Sequence, residues 1–408
     1  MVWNKPITLL RCGQDNFATA KGWEMTDQRT NVALWALLLG NFVIGTGVLL
    51  PAGLLNQLSA ELHVDVPSVG LLLLAGGVVV GVGAPLLAMM TTRVDRRLLL
   101  ALSMLLYAAG HLLSAFTNEF WPLLIVRVLM ISAAGIFSPQ AAATVGLIVP
   151  PDKRASAIAF IFIGWSVASV VGIPIGSLLG AWIGWRMVFV LMVAFSLISA
   201  IAVWFTIPPK LFGVPLSFDS WKKVFTSPAL MCVLLVTLLS MSGQFTVFGY
   251  IAPILKQVTN ATPTQISLAF AIAGAAGVTG NTIGSRMVRS MAIHKVIGWA
   301  MLSLCCGFAI FSFMFGNYWG MIAGMALWGL GTFSSNSLQQ SRLVSLAPVL
   351  ASATVALNTS AVYLGQAIGA KLGGNLIHDG ATATLGWFAL GILILALAAS
   401  LFATRLKI

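Results

Sequence analysis

Charged residues are scarce in this sequence: Asp, Glu, Lys and Arg together make up 8% of its 408 residues. Soluble domains carry about 25% charged residues. Hydrophobic residues make up 59% of the chain, and the mean hydropathy is +0.98. A water-soluble fold of this length could not bury so many apolar side chains. We therefore expect the lipid bilayer to be the solvent of this protein.

Acidic residues are especially few. The chain has 10 Asp and Glu, and each falls in a tail, a loop or the end of an apolar run. Proton relays in membranes usually need titratable groups buried in the spans. Among such groups only His111 remains inside an apolar run with a near-neutral reference pKa. His111 is either a proton site or a hydrogen-bonded packing residue.

Several chemical signatures are missing from the sequence. No G-x-x-x-x-G-K-[ST] loop is present, which argues against nucleotide-driven transport. The four cysteines show neither disulfide nor metal spacing, and no acid–histidine pair or nucleophile motif lies in the apolar runs. The sequence therefore predicts no cofactor, no metal and no enzyme activity. The net charge of +12 is spread in short clusters between apolar runs, so we expect no nucleic-acid partner.

Residues 1–30 are polar and lack the apolar core of a cleavable signal peptide. Met25 opens a second plausible start. This leader is either a cytoplasmic N-terminal tail with little order or a stretch that precedes the native start.

The apolar runs predict an all-α integral membrane protein with twelve transmembrane helices. A spanning helix needs about 20 apolar residues. The runs lie at roughly 32–57, 68–91, 98–117, 121–149, 156–182, 186–207, 228–255, 264–289, 295–315, 318–345, 352–376 and 382–404. The longest polar connection, 208–226, is predicted to be a cytoplasmic linker. It separates two pseudo-symmetric six-helix bundles, 31–207 and 227–408.

The distribution of basic residues supports this count. With the N-terminus inside, 18 of the 22 Lys and Arg lie in inner segments, whereas only Arg186 and Lys256 lie in outer ones. Arg127 and Lys371 lie within spans. Such a positive-inside bias predicts a multi-pass inner-membrane protein with both termini in the cytoplasm.

Glycine-rich helices ending in basic turns recur six spans apart, in "AGGVVVGVGAPLLAMMTTRVDRR" and "IAGAAGVTGNTIGSRMVRS". Further motifs are "GWSVASVVGIPIGSLLGAWIGWR", "LLIVRVLMISAAG", "GQFTVFGYIAPIL" and "ALNTSAVYLGQAIGAKLGG". In these motifs the sequence resembles the major facilitator superfamily, in its twelve-helix drug:proton antiporter and sugar-efflux branch. The resemblance implies two bundles that rock about a central site, and efflux driven by protons. The acid common in the first helix of the sugar-efflux branch is matched here by Val48.

The resemblance identifies an antiporter motif in the fifth span, comprising Gly164, Gly172, Pro174, Gly176 and Gly180. Gly172, Gly176 and Gly180 share one helix face, which Pro174 is expected to bend. The bare face is expected to form a gate against the opposite half. The alternative is small-residue packing within one bundle.

Arg127 is the strongest single candidate for function, because a charge deep in a bilayer is costly and usually faces the bundle interior. It either binds an anionic or polar substrate group, takes part in coupling, or packs against neighbouring carbonyls. Uncharged polar residues on spans one, four, seven and ten are the other candidate substrate contacts: Asn41, Gln140, Gln244, Tyr250, Asn336, Gln339 and Gln340. Interhelical hydrogen bonding is the alternative role for each of them.

The first inner turn resembles the loop motif of the family, with Gly83, Arg93, Asp95, Arg96 and Arg97 as its members. It is either a charge latch between the bundles or a solvated cluster that fixes membrane topology.

Together these features predict a monomeric secondary transporter that exports a small polar or amphipathic compound by alternating access. Its ligands are expected to be the substrate, protons and the surrounding lipid. The alternative is a facilitated-diffusion uniporter or importer without proton coupling. An integral membrane enzyme and a channel are the competing classes, and the two-half repeat favours a carrier.

Overall fold

The computed structural model describes residues 27–91, 93–150, 153–212, 218–288 and 290–406. Within these ranges the chain forms helices and no strand. The first half contains α1 (Asp27–Leu62), α2 (Val66–Met90), α3 (Arg96–Phe116), α4 (Phe120–Ile148), α5 (Arg154–Val167), α6 (Ile173–Ile183) and α7 (Trp185–Thr206). After the short α8 (Phe218–Phe225) come α9 (Pro228–Phe248), α10 (Ile251–Thr259), α11 (Pro263–Met287), α12 (Ile293–Phe313), α13 (Tyr318–Leu346), α14 (Ala351–His378) and α15 (Leu385–Ala403).

Ten helical segments of the described chain are long and apolar enough to cross a membrane. The helices α13 and α14 are not among them, although they have 29 and 28 residues. Both contain polar stretches, "SSNSLQQS" and "NTS", that lower their hydropathy. A 29-residue helix is about 44 Å long, which is enough to cross a hydrocarbon core of about 30 Å. With α5–α6 and α9–α10 each taken as one crossing, and with α13 and α14 included by their length, the described residues form twelve helical crossings.

Successive crossings run in opposite directions, which gives the bundle two distinct ends. We call the end that carries Arg93, Lys153 and Arg405 the basic end, and the end that carries Glu61 and Lys256 the far end. The leader 1–26 and part of the predicted linker, 213–217, lie outside the described residues.

Two crossings are interrupted at proline. Between α5 and α6 the backbone forms a π-helical turn over Ala168–Gly172, directly before Pro174. Proline has no N–H to donate to the carbonyl four residues earlier, and a π turn is one way to absorb that loss. The predicted seventh span breaks at Gly249 and Tyr250, four and three residues before Pro253.

The two six-helix sets meet along α2 and α14, which pack against each other from end to end. Close approach depends on glycine, since a Cβ on Gly77 would lie 2.6 Å from the carbonyl oxygen of Tyr363. A second seam joins α11 to the π turn and α6, where Ser267 donates a hydrogen bond of 2.8 Å to the Pro174 carbonyl. The helix α11 contacts α5 much less. The halves therefore meet more closely towards the far end than towards the basic end along this seam.

Candidate functional site: polar clusters inside the two halves

Arg127 is completely buried in α4 and contacts the backbone of α1. Its Nη2 donates a hydrogen bond of 3.0 Å to the carbonyl oxygen of Gly47. This carbonyl lies four residues before Pro51, which is inside α1 and has no N–H. The guanidinium therefore supplies the hydrogen bond that the proline removes from the helix.

Arg127 has capacity beyond this bond. Its Nε and Nη1 have no hydrogen-bond partner among the described residues, and neither do the two ring nitrogens of buried His111. Tyr107 donates to the Ile44 carbonyl of α1 at 3.2 Å and packs edge-on against His111, with the ring centroids 4.8 Å apart. No described acidic side chain forms an ion pair with Arg127. The cluster is thus a buried cation beside an unpaired imidazole.

Asn41, a candidate substrate contact, is occupied within the first half. It donates to the Ile161 carbonyl at 3.1 Å and accepts from the Ser138 hydroxyl at 2.7 Å. The indole of Trp165 donates to the same hydroxyl at 3.3 Å. This network ties α1, α4 and α5 together. Ser138 and Trp165 are not predictable as members of this network, because nothing in their spacing sets them apart from ordinary span residues.

Gln140, another candidate substrate contact, belongs to the first inner turn instead. Its Oε1 accepts a hydrogen bond from Arg96, and its Nε2 donates to Thr91 Oγ1 at 3.2 Å. Because both ends of the amide have protein partners at the basic end of α4, Gln140 links α2, α3 and α4 in this conformation.

The rest of the first inner turn also contacts its own half. Asp95 caps α3 by accepting from the Arg97 N–H at 2.8 Å and also accepts from the Lys210 N–H. The Arg97 guanidinium lies 4.1 Å from the ring centroid of Trp204 on α7. Arg96 is buried, whereas Arg93 is exposed. The described contacts of this turn therefore join helices of the first half to one another and to the start of the linker, and only part of the cluster is solvated.

Gly83 lies in α2, and among the described residues a Cβ there would meet only Leu87, at 3.7 Å. Gly164 is different, because a Cβ would collide with the α1 backbone at the Leu38 carbonyl. It marks the point where α5 crosses α1.

The fifth crossing also turns Gly172, Gly176 and Gly180 towards α1 and not towards the opposite half. Their facing side chains are, in order, Thr46, Leu50 and Leu54. The expectation that this bare face meets the opposite half is therefore wrong for this conformation: small residues here let two helices of one half approach closely. The contact to the opposite half is made nearby, through Ser169 against Gly274 and through the Pro174 carbonyl.

In the second half, two candidate substrate contacts are already occupied. Gln244 is buried and donates within α9 to the carbonyl and the hydroxyl of Ser240, at 3.1 and 3.2 Å. Tyr250 donates to the Ala370 carbonyl at 2.7 Å and fills space that Gly70 leaves on α2. In this conformation Tyr250 therefore contacts both α14 and α2, at the far end of the seam between them.

Two of the three remaining candidates, Asn336 and Gln339 on α13, line a small cavity of about 10 Å³, which has room for one water molecule. Gln339 is buried, and neither atom of its amide group has a hydrogen-bond partner among the described residues. Asn336 lines the same cavity and lies 3.5 Å from the Asn358 amide nitrogen. Gln340 is half-buried. The other lining residues are Val236, Thr237, Ser240, Met241, Met301 and Ser335.

Asn358 accepts a hydrogen bond from Thr237 at 2.9 Å and completes a polar layer across α9, α13 and α14. It is not among the candidate substrate contacts predicted from the sequence. A Thr on span seven and an Asn on span eleven have no fixed spacing that would indicate this pairing. Of the candidate substrate contacts, Arg127 and Gln339 keep unpaired buried atoms that a ligand could bond, whereas the unpaired ring nitrogens of His111 are the ones that could take a proton.

Comparison with known proteins agrees with this architecture. The sequence model of the Major Facilitator Superfamily matches residues 37–370. The inner membrane transport protein YdhP of Escherichia coli K12 is 31% identical over 352 residues, covering 86% of this chain and 90% of that protein. A probable sugar efflux transporter of Helicobacter pylori strain G27 is 29% identical over 360 residues, covering 88% of this chain and 92% of the relative.

Solved structures show the same fold at low identity. A D-xylose–proton symporter has a TM-score of 0.73 at 15% identity, covering 91% of this chain and 97% of that chain. A bacterial homologue of the human lysosomal transporter Spinster, inward-facing and occupied, has a TM-score of 0.71 at 16% identity, covering 93% and 98%. These relatives are transporters, and the match covers most of the chain. The protein therefore belongs to the major facilitator superfamily and is an integral membrane transporter of many spans.

Proposed function

We propose that this transporter exports a small polar or amphipathic compound, such as a sugar, a nucleoside or a drug, across the inner membrane. It does so as a monomer by alternating access, with its basic end and both termini in the cytoplasm. The sets 31–207 and 227–408 act as the two moving bodies, joined by the linker 208–226. The names of the relatives from Escherichia coli and Helicobacter pylori support the membrane and the direction. Positive-inside placement supports the orientation.

The observation that carries this proposal is the unpaired amide of buried Gln339 beside the small cavity on α13. A buried amide without partners is costly unless a ligand or water satisfies it. The amide offers a donor and an acceptor to a hydroxyl-bearing substrate, and Asn336 offers a second amide at the same cavity.

Substrate counterflow in proteoliposomes, after a thermal-shift screen of sugars, nucleosides and drugs, tests the proposal. We expect saturable counterflow of any compound that stabilises the protein. Flux that never saturates would indicate a channel and would contradict it.

We further propose that efflux is coupled to proton influx through His111. Its two ring nitrogens are unpaired, and it shares a buried cluster with Arg127. Since a proton on His111 would place a second positive charge beside the guanidinium, protonation would weaken the hold of Arg127 on α1. His111→Gln is expected to keep counterflow and to lose substrate-driven proton movement. Proton movement that survives this change would place the coupling elsewhere.

Uniport without protons is the second candidate. The observation that favours it is that the Asp and Glu of the described spans lie at span ends, as Glu61 does in the last turn of α1. Uniport predicts that an imposed pH gradient leaves the final substrate distribution unchanged.

A further inference from the structure

A groove with a volume of about 570 Å³ lies on the surface between α9 and α15. It is separate from the small cavity on α13 and lined almost wholly by apolar side chains: Met231, Cys232, Leu235, Ala398, Ala399 and Phe402. Because α9 begins at Pro228 and α15 ends at Ala403, the groove lies within about 10 Å of the helix ends. That depth corresponds to the upper acyl chains of one bilayer leaflet.

The groove faces the surroundings of the bundle. Leu235 is 46% exposed and Phe402 is 57% exposed. The thiol of Cys232 donates to the Ala399 carbonyl at 3.5 Å and so joins the two helices across the groove. An occupant of this groove comes from the bilayer and not from the transport pathway.

Exposed basic residues lie just beyond the helix ends that border the groove. The backbone N–H of exposed Arg405 donates to the Phe402 carbonyl at 2.9 Å, which holds this arginine one turn beyond the last lining residue. The short helix α8, which precedes α9, carries exposed Lys222. The side chains of Trp221 and Val224 pack in one cluster with Leu230 at the start of α9 and Ala403 at the end of α15. The short helix, with its lysine, is therefore fixed at the same corner as Arg405.

We propose that this corner binds an anionic phospholipid of the cytoplasmic leaflet. One acyl chain lies in the groove, and the phosphate lies between Arg405 and Lys222. Apolar lining below and cations above match the two parts of such a lipid, and anionic lipids attract basic residues at the membrane surface. The bound lipid would link the connection between the halves, through α8, to the last helix.

Native mass spectrometry of the full chain, purified in mild detergent and titrated with phosphatidylglycerol, tests the head-group contacts. Arg405→Gln and Lys222→Gln are each expected to lower the affinity about fivefold, and the double variant about 25-fold. Phosphatidylcholine is expected to show no such dependence. The matched control is Lys153→Gln, which removes an exposed lysine at the same end of the other half and is expected to change nothing.

The groove itself is tested with Ala398→Phe, which fills it. The labelling experiment uses a variant that keeps Cys232 and has the other three cysteines replaced by Ser or Ala. In nanodiscs of phosphatidylglycerol, maleimide is expected to label Cys232 more slowly than in nanodiscs of phosphatidylcholine. When Ala398→Phe is added to this variant, the two lipids should give the same labelling rate. Equal retention of both lipids by all variants would overturn the proposal. A dimer that disappears in Ala398→Phe would also overturn it, because the groove would then be an interface between two copies.

Discussion

Replacement of Gln339 by methionine separates substrate binding from folding. Gln339 is buried on α13, with two unpaired polar atoms at the cavity that also contacts Ser240. Methionine has a similar length and volume and no polar atom that needs a partner. The change therefore removes an unsatisfied group without creating a large void.

The expected magnitudes have opposite signs for stability and binding. An unsatisfied buried polar group costs about 1–3 kcal/mol, and one cavity water reduces the penalty, so a stabilisation of about 1 kcal/mol is expected. A substrate hydroxyl left unpaired by methionine costs about 1–3 kcal/mol, which corresponds to a roughly 5- to 150-fold lower affinity.

The assay is thermal unfolding in detergent, with and without a transported compound, followed by counterflow. Gln339→Met should unfold at a higher temperature than the unaltered protein and respond far less to the compound. The control is Gln244→Met, which removes a buried amide that is already bonded to Ser240. We expect this control to lose some stability and to keep its response. A Gln339→Met protein that is less stable and still fully responsive would refute the reasoning.

Two further predictions concern backbone contacts. Arg127→Leu should lower the unfolding temperature, because it leaves the Gly47 carbonyl unpaired. Pro51→Ala restores an N–H to α1, so the double variant should recover much of that loss. If Arg127→Leu costs as much in the Pro51→Ala background as in the unaltered protein, this carbonyl is not what Arg127 stabilises. Gly77→Val should abolish counterflow while the protein still inserts in the membrane, because the new Cβ would collide with the Tyr363 carbonyl across the seam; normal counterflow would show that this seam does not need close approach.

Much of the architecture follows from composition and charge. Long apolar runs and the distribution of Lys and Arg predict helices and crossings, because lipid allows few alternatives to a helix. Even the polar helices α13 and α14 are recognisable by length. The break between α9 and α10 was not predicted, although Pro253 is its visible cause.

The pairing of polar side chains is much less predictable. Asn41, Gln140 and Gln339 are all amide residues within apolar runs. The first two have hydrogen-bond partners on other helices, whereas the amide of Gln339 has none among the described residues. Which partner an amide finds depends on helix rotation and packing, and the sequence pattern does not specify these. The role of Arg127 is easier to predict. Pro51 follows Gly47 by four residues and has no N–H, so the Gly47 carbonyl inside the membrane needs another donor.

Alternating access itself is tested most directly by distances between spin labels in proteoliposomes. One pair at Lys153 and Lys295 spans the halves at the basic end, and a second pair at Glu119 and Lys256 spans them at the far end; all four side chains are exposed. On addition of a transported compound or a change in pH, we predict that one distance lengthens while the other shortens. Two distances that stay fixed, or that change together in the same direction, would contradict the account.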